Sequence, residues 1–403
     1  MRRCMRILPL LLIAAAASCG QAPVPRPAAT PLPGVARLAP DAEERWVPFD
    51  LTPGNQIRFT LDLDGRPLVA ILDTGVSVTV LSRRSAAVNT AKLRAGGRAT
   101  AIGGEVDIAW MPTRSIAIGG LTLTGASVAV TELPALATGS GTAVDLLVGR
   151  DLLGAHALDL DYPNKRFRLI ASGRLPFTGP AAPLTISPER QVYESAVTLG
   201  DRPVRPVIVD TGDGSAITVT QADWRAAKLA ALPTTSAVAY GLAGPVVTTL
   251  AIVPAVAVGE LDARSVEVRV EGPTGFSQAV GAAGRIGSGF LQNYRVLLDP
   301  AAGRMVFRPG PDAGRPPLRS TSGLLLGLER DRLKVLHVMA NGPAAAAGWR
   351  EGETICAVNG MRIARDYPTS PLGRWSVGAP GTTVRLSLCD GGGERALTLA
   401  NFY

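Results

Sequence analysis

The sequence predicts a mainly β protein in which one β lobe is written twice and is followed by a different β module. Three observations carry that expectation. Asp-Thr-Gly occurs twice, each time after an apolar run: Ile71-Leu72-Asp73-Thr74-Gly75-Val76-Ser77 and Val207-Ile208-Val209-Asp210-Thr211-Gly212. A second pair of segments keeps the spacing of the two aspartates to within one position, Gly149 answering Gly287 and Asp161 answering Asp299. Short alternating runs, such as 56–63 and 265–270, read as half-exposed strands. Helical stretches are few, the best candidates being 82–93 and 221–232. A single Asp-Thr-Gly is a common turn composition. Two copies, each with a matching partner about 75 residues downstream, mark a duplicated domain.

Residues 1–19 read as an export signal. Arg2, Arg3 and Arg6 precede an apolar stretch over 7–17, which at about 11 residues is too short to span a bilayer. Ala16-Ala17-Ser18-Cys19 resembles a bacterial lipobox, which implies that Cys19 is acylated and becomes the mature N-terminus. Ala16 stands where that motif has Leu, so plain signal cleavage nearby remains open. Gly20 follows, so the Asp that retains some lipoproteins at the inner membrane is absent. Residues 20–45, with Pro23, Pro25, Pro27, Pro31 and Pro33, have the composition of a semi-extended tether. The expected location is the periplasmic side of a bacterial membrane, reached through a lipid anchor.

Residues 46–175 and 176–312 form the two expected lobes, and duplication has a chemical reason. Two carboxylates a hydrogen bond apart cannot both ionise comfortably, so they share a proton and titrate as a coupled pair. The ionised member takes a proton from water while the neutral one donates to a peptide carbonyl oxygen. Each lobe would deliver one aspartate, Asp73 or Asp210, on a strand-to-turn junction. Thr74 and Thr211 supply small hydroxyls that can tie the loops together, and Gly75 and Gly212 permit close backbone approach. No metal or other cofactor is required.

These loops, with Leu147-Val148-Gly149 and Arg285-Ile286-Gly287 downstream, resemble bacterial aspartic peptidases of the retropepsin-like kind, two lobes being fused as in the pepsin-like enzymes. The resemblance covers roughly residues 46–310. It implies that the Gly-containing segments pack behind the catalytic loops and that β-hairpin flaps close over a polypeptide substrate. The flap candidates are Ala101-Ile102-Gly103-Gly104-Glu105 and Tyr240-Gly241-Leu242-Ala243-Gly244, and Gly103 to Gly241 repeats the spacing of Gly149 to Gly287. In the family a Ser or Thr two residues after the Gly hydrogen-bonds the outer carboxylate oxygen. Ser77 fits, whereas the second copy has Gly214 there and Ser215 one later, which reaches back only if the loop bulges. Arg285 also interrupts the apolar pair of the second lobe.

After Pro309-Gly310-Pro311 and Pro316-Pro317 comes a different module, 313–403. Leu324-Leu325-Leu326-Gly327-Leu328, Asn341-Gly342-Pro343-Ala344 and Ile355-Cys356-Ala357-Val358-Asn359-Gly360 resemble a PDZ domain of the type fused to periplasmic proteases. The resemblance implies a groove edged by Leu326, Gly327 and Leu328 that takes peptide C-termini or extended segments as an added strand. Clamping against the lobes is the alternative role.

Composition narrows the remaining classes. Of 41 basic residues only four are lysines, and the arginines are scattered without interleaved aromatics, so a nucleic-acid partner is not expected. Removing Arg2, Arg3 and Arg6 lowers the net charge from +8 to +5. His156 and His337 accompany neither a zinc set nor a convincing serine or cysteine nucleophile. Cys356 and Cys389 are open to a disulfide or to two buried thiols. Two functions therefore compete: an aspartic endopeptidase whose PDZ domain recruits or regulates, and a catalytically silent peptide-binding lipoprotein.

Overall fold

A computed structural model of the chain describes residues 33–138, 144–154, 156–389 and 391–403. The export signal, Cys19 and residues 20–32 of the expected tether lie outside them. The described chain is mainly β. From edge to edge, the main path of a first sheet runs Asp50–Leu51, Ile57–Leu63, Arg66–Leu72, Leu146–Val148, Val80–Ser82, Leu121–Thr131, Gly104–Pro112 and Arg94–Ala101. A second sheet runs Thr185–Ile186, Tyr193–Leu199, Arg202–Asp210, Gly284–Gly287, Ile217–Val219, Leu261–Val270, Gly244–Val258 and Thr234–Gly241. Strand for strand, the order is the same.

The alternation that marks Ile57–Leu63 as a strand is also its burial pattern, with Ile57, Phe59, Leu61 and Leu63 inside. Two strands depart from alternation in the same way. Arg66–Leu72 and Arg202–Asp210 start exposed and finish with consecutive buried residues. Each gains a short parallel neighbour there, Leu72 opposite Val148 and Asp210 opposite Gly287. Strands flanked on both edges and covered on both faces read as continuous apolar runs.

A six-stranded sheet joins the two bodies. Its centre pairs Ala157–Asp161 with Tyr294–Asp299, Leu158 opposite Leu298 and Leu160 opposite Val296. One apolar core therefore runs through both, from Phe59 and Phe167 to Phe307 and Ile286.

Three sequence expectations change. Residues 33–45 are not tether: Pro33–Leu38 pairs with Leu121–Thr131, covering an edge that would otherwise leave backbone groups unpaired, and Ala42 is buried. The expected helix over 82–93 is a series of turns ending in the short 3₁₀ helix Thr90–Lys92. Ser82, Ser85 and Asn89 side chains accept hydrogen bonds from the amides of Arg84, Ala87 and Ala91 and so compete with helical bonding. The helix expected over 221–232 spans only Gln221–Ala226, capped by Thr220, and the chain turns at Lys228 with φ +57°.

The C-terminal module has its own sheet, Leu324–Glu329, Arg332–Val338, Thr354–Val358, Thr383–Leu388 and Glu394–Thr398, and a separate core around Trp349, Ile355 and Leu386. Cys356 and Cys389 are joined by a disulfide that ties neighbouring strands, with Cα atoms 4.9 Å apart. It closes a loop spanning 33 residues of sequence. By loop-closure entropy, Cys356→Ser in the full chain should destabilise this module by about 3–4 kcal/mol. Chemical unfolding followed by Trp349 and Trp375 fluorescence would measure that. An unchanged transition would mean the bond constrains nothing in the unfolded chain.

Candidate active site

Asp73 and Asp210 end equivalent strands and meet at the junction of the two bodies. The loops are locked by reciprocal bonds between Thr74 and Thr211, both fully buried. Thr74 N donates to Thr211 Oγ1 at 3.0 Å and Thr211 N to Thr74 Oγ1 at 3.0 Å. Each hydroxyl then donates across, Thr74 to Val209 O at 2.6 Å and Thr211 to Leu72 O at 2.7 Å. Gly75 faces the Asp210 carboxyl and Gly212 faces that of Asp73, and a Cβ on either glycine would overlap the opposite carboxyl group. Gln56 Nε2 adds a bond to Gly212 O at 2.7 Å, and Ser288 Oγ one to Thr211 O at 2.8 Å.

The two carboxyls are buried close together, each against the glycine of the other loop. Burial, then the charge of Asp210, raises the pKa of Asp73 well above the ordinary carboxyl range. Burial, then the charge of Asp213, pushes Asp210 up to about 6, against the opposing pull of Arg285 and of backbone donors. Only one of the pair ionises readily.

Their surroundings differ. Asp73 Oδ1 accepts one amide, from Gly75 at 3.1 Å. Asp210 Oδ1 accepts two, from Gly212 at 3.0 Å and Asp213 at 3.1 Å, and its Oδ2 lies 3.8 Å from Arg285 Nε. Arg285 is buried in an ionic cluster, 2.7 Å from Asp213 and 2.6 Å from Glu271, with Ser277 Oγ at 3.0 Å. That cluster holds Asp213 down at about 2 despite its burial.

The expected supporting hydroxyls do not act as the resemblance implied. Among the described residues, no hydrogen bond joins Ser77 to Asp73. Ser215 does not reach Asp210; it donates to Asp213 Oδ1 at 2.7 Å and lies 2.9 Å from Thr218 Oγ1. Gly214 has a packing reason: its Cα faces Gly54 O so closely that a Cβ would overlap it, and Asn55 Nδ2 donates to Gly214 O at 3.0 Å.

The aspartates floor a cavity of about 310 Å³, at the small end of ligand sites. Val78, Val80, Ile108 and Leu147 line one side, and Val192, Ile208, Phe276 and Arg190 the other. Its roof is the tips of two hairpins, Arg94–Ala101 with Gly104–Pro112 and Thr234–Gly241 with Gly244–Val258. Gly103 and Gly104 lie at the first tip, and Tyr240 and Gly241 lead into the second. The tips touch, Ala243 N donating to Ile102 O at 3.2 Å. The joined tips cover the aspartates from above.

Leu326, Gly327 and Leu328 are remote from the aspartates in sequence and in sheet, on the edge strand Leu324–Glu329, which pairs on one side with Arg332–Val338. Leu325 and Leu328 are partly exposed there.

Sequence reading missed Asp213, Glu271 and Gln56. The signal for the first two was present: an arginine inside the wholly buried strand Gly284–Gly287 demands buried acids. Nothing comparable marked Gln56.

Thr211→Val would keep the shape of the loop clamp but strand two buried backbone groups, the Thr74 amide and the Leu72 carbonyl, at about 1–3 kcal/mol each. Urea unfolding should show that loss for Thr211→Val and near-normal stability for Thr211→Ser. Equal midpoints for the two variants would remove the clamp from the account of stability.

Residues 59–152 match the family model of aspartyl proteases. No curated protein matches the chain. The matched span includes the Asp73 loop, the first hairpin and Leu147-Val148-Gly149, and the match supports an aspartic peptidase.

Proposed function

We propose that the chain is an aspartic endopeptidase with two fused retropepsin-like lobes and a C-terminal PDZ domain. The observation that carries this reading is the buried pair Asp73 and Asp210, each held against the other's loop at the floor of a cleft roofed by two hairpins. In the reaction, one carboxylate takes a proton from water as the water oxygen attacks the peptide carbonyl carbon. The protonated carboxyl gives its proton to the carbonyl oxygen, forming a tetrahedral diol. Collapse returns a hydroxyl proton to the second carboxylate, while the first delivers its proton to the leaving nitrogen and the C–N bond breaks. The pair ends with one proton, as it began.

This mechanism needs a singly protonated pair. Below about pH 6 Asp210 becomes protonated and the base is lost; at higher pH, ionisation of Asp73 removes the acid. Activity of the full chain on an unfolded protein should therefore rise as pH climbs through about 6 and fall at higher pH. Asp73→Asn and Asp210→Asn should each lose at least about 10²-fold in kcat. The silent peptide-binding reading draws on Gly214, which removes the expected hydroxyl from the second loop. Retained peptide binding with no cleavage at any pH would select it.

The C-terminal module supports a second role beside recruitment at its free edge. It grips the base of the second hairpin: Thr235 Oγ1 donates to Ala340 O at 2.6 Å, Ala340 N donates to Ser236 Oγ at 2.9 Å, and Ser236 Oγ lies 2.8 Å from His337 Nε2. Leu250, Met339 and Tyr403 are buried together beside these bonds. The module would thus hold one flap in register while the other moves. Thr235→Val with Ser236→Ala should raise KM for a short unstructured peptide several-fold. An unchanged KM would leave the module with recruitment alone.

Export and lipid anchoring through Cys19 complete the reading. The Cys356–Cys389 disulfide supports export, because such bonds persist in oxidising compartments, while the anchor rests on the lipobox-like Ala16-Ala17-Ser18-Cys19. Cys19→Ser should move the protein from the membrane fraction to the soluble one, and unchanged fractionation would point to another anchor.

A further inference from the structure

The two Asp-Thr-Gly loops are matched in backbone but not in charge. Arg285 pairs across the sheet with Ile208, as Leu147 does with Ile71, so an arginine occupies in the second body the place of a leucine in the first. Three residues after each aspartate stand Val76 and Asp213, and four after, Ser77 and Gly214. The second loop has therefore exchanged a hydroxyl and two apolar side chains for a buried ion cluster beside its aspartate. Burial makes that exchange consequential: Arg285, Asp213 and Glu271 are all at most 9% exposed in their side chains, so water screens them little.

We propose that Arg285 is a positioning residue that makes Asp210 the ionised member of the pair and leaves Asp73 as the proton donor. The assignment rests on the reading of the chain as an aspartic peptidase, and its argument is geometric. An ionised carboxylate is favoured where donors converge. Asp210 has two amides and a guanidinium 3.8 Å away, whereas Asp73 has one amide. The other charged groups around Asp210 are accounted for. Asp73 faces it from the first loop. Asp213, on its own loop, opposes its ionisation but is itself bonded to Arg285. Glu271 lies behind Arg285, bonded to its Nη1. Arg190, the remaining charged group lining the cavity, is bonded to Glu194 at 2.5 Å and to Val280 O. Both carboxyls are pushed up from the ordinary range by burial, and at Asp210 Arg285 is a charge that pulls the other way.

In the proposed reaction, Asp210 then takes the water proton and later gives it to the leaving nitrogen. Asp73 protonates the carbonyl oxygen and recovers its proton as the diol collapses. The arginine moves no proton and touches no substrate.

Two neighbours of opposite charge make the test specific. Arg285→Gln removes the cation and should shift the acid limb of the kcat/KM profile to higher pH by about one unit. Asp213→Asn removes the anion, keeps Arg285, and should shift the same limb to lower pH. Both variants damage one ion cluster, so a merely structural role predicts a similar loss in each; only an electrostatic role gives shifts of opposite sign. The wild-type full chain supplies a reading that depends neither on variants nor on turnover. With aspartate labelled at its carboxyl carbon and the signals assigned through Asp73→Asn and Asp210→Asn, the ¹³C shift of Asp210 should move at lower pH than that of Asp73. A chain that cleaves nothing would overturn the peptidase reading while this titration still decides the order. Ionisation of Asp73 first, or limbs that move together or not at all, would overturn the role of Arg285.

Discussion

The structure depends on a conflict: two carboxyl groups that repel when ionised are buried close together at the floor of one cavity. Left to itself, such a pair would separate or draw water in. The chain prevents both by making the loops inseparable. Thr74 and Thr211 exchange four hydrogen bonds with the opposite strand ends, and each loop glycine lies against the other loop's aspartate. Behind them, the shared sheet pairs Ala157–Asp161 with Tyr294–Asp299, so parting the aspartates would also require breaking a ladder and opening a continuous core. Burial, joined by the charge of Asp210 at Asp73 and of Asp213 at Asp210, is expressed instead as raised carboxyl pKa values, which favour a proton shared by the pair.

A duplicated scaffold would deliver two equal aspartates, yet the proposed chemistry asks for an acid and a base. The departures of the second loop from the first supply that inequality. Gly214 gives up a hydroxyl because Gly54 O leaves no room for a side chain. Asp213, freed from the apolar role of Val76, turns inward to meet Arg285. Removing Arg285 would leave two buried acids, Asp213 and Glu271, without the cation that holds both. Gly214 and Arg285, which look like decay when read singly, are in the folded chain two parts of one polar loop support.

Much of this was legible in the sequence because repeats and burial write themselves in residue order. The near-constant repeat spacing pointed to both aspartates, both hairpins and the strands behind the loops; Asp73, Asp210, Ile102, Tyr240 and Leu147 line one cavity, and Gly284–Gly287 pairs alongside the strand that ends at Asp210. The polar details were not legible. Ser215 stands one residue from the expected hydroxyl position, but its partner depends on where Asp213 points, a question of loop conformation. Serines and an asparagine within 82–93 favour turns through bonds to their own amides, which apolar periodicity does not register. Residues 33–45 have tether composition, yet backbone pairing is indifferent to composition, and an open strand edge at Leu121–Thr131 accepted them.

The same inequality extends to the roof of the cleft. Among the described residues the first hairpin, 94–112, makes no hydrogen bond to the C-terminal module, whereas the second is held at its base through Thr235 and Ser236. His337, which meets Ser236, also lies 2.7 Å from Glu351 and sits opposite Leu325 of the free edge strand. One strand of the module therefore touches the flap on one side and the edge that would take a peptide on the other. The two sides of the cavity differ as well: Val78, Val80 and Leu147 make an apolar wall on the side of Asp73, while Arg190 lines the side of Asp210. The two halves of one cavity therefore differ both in how their hairpins are held and in the charges beside their aspartates.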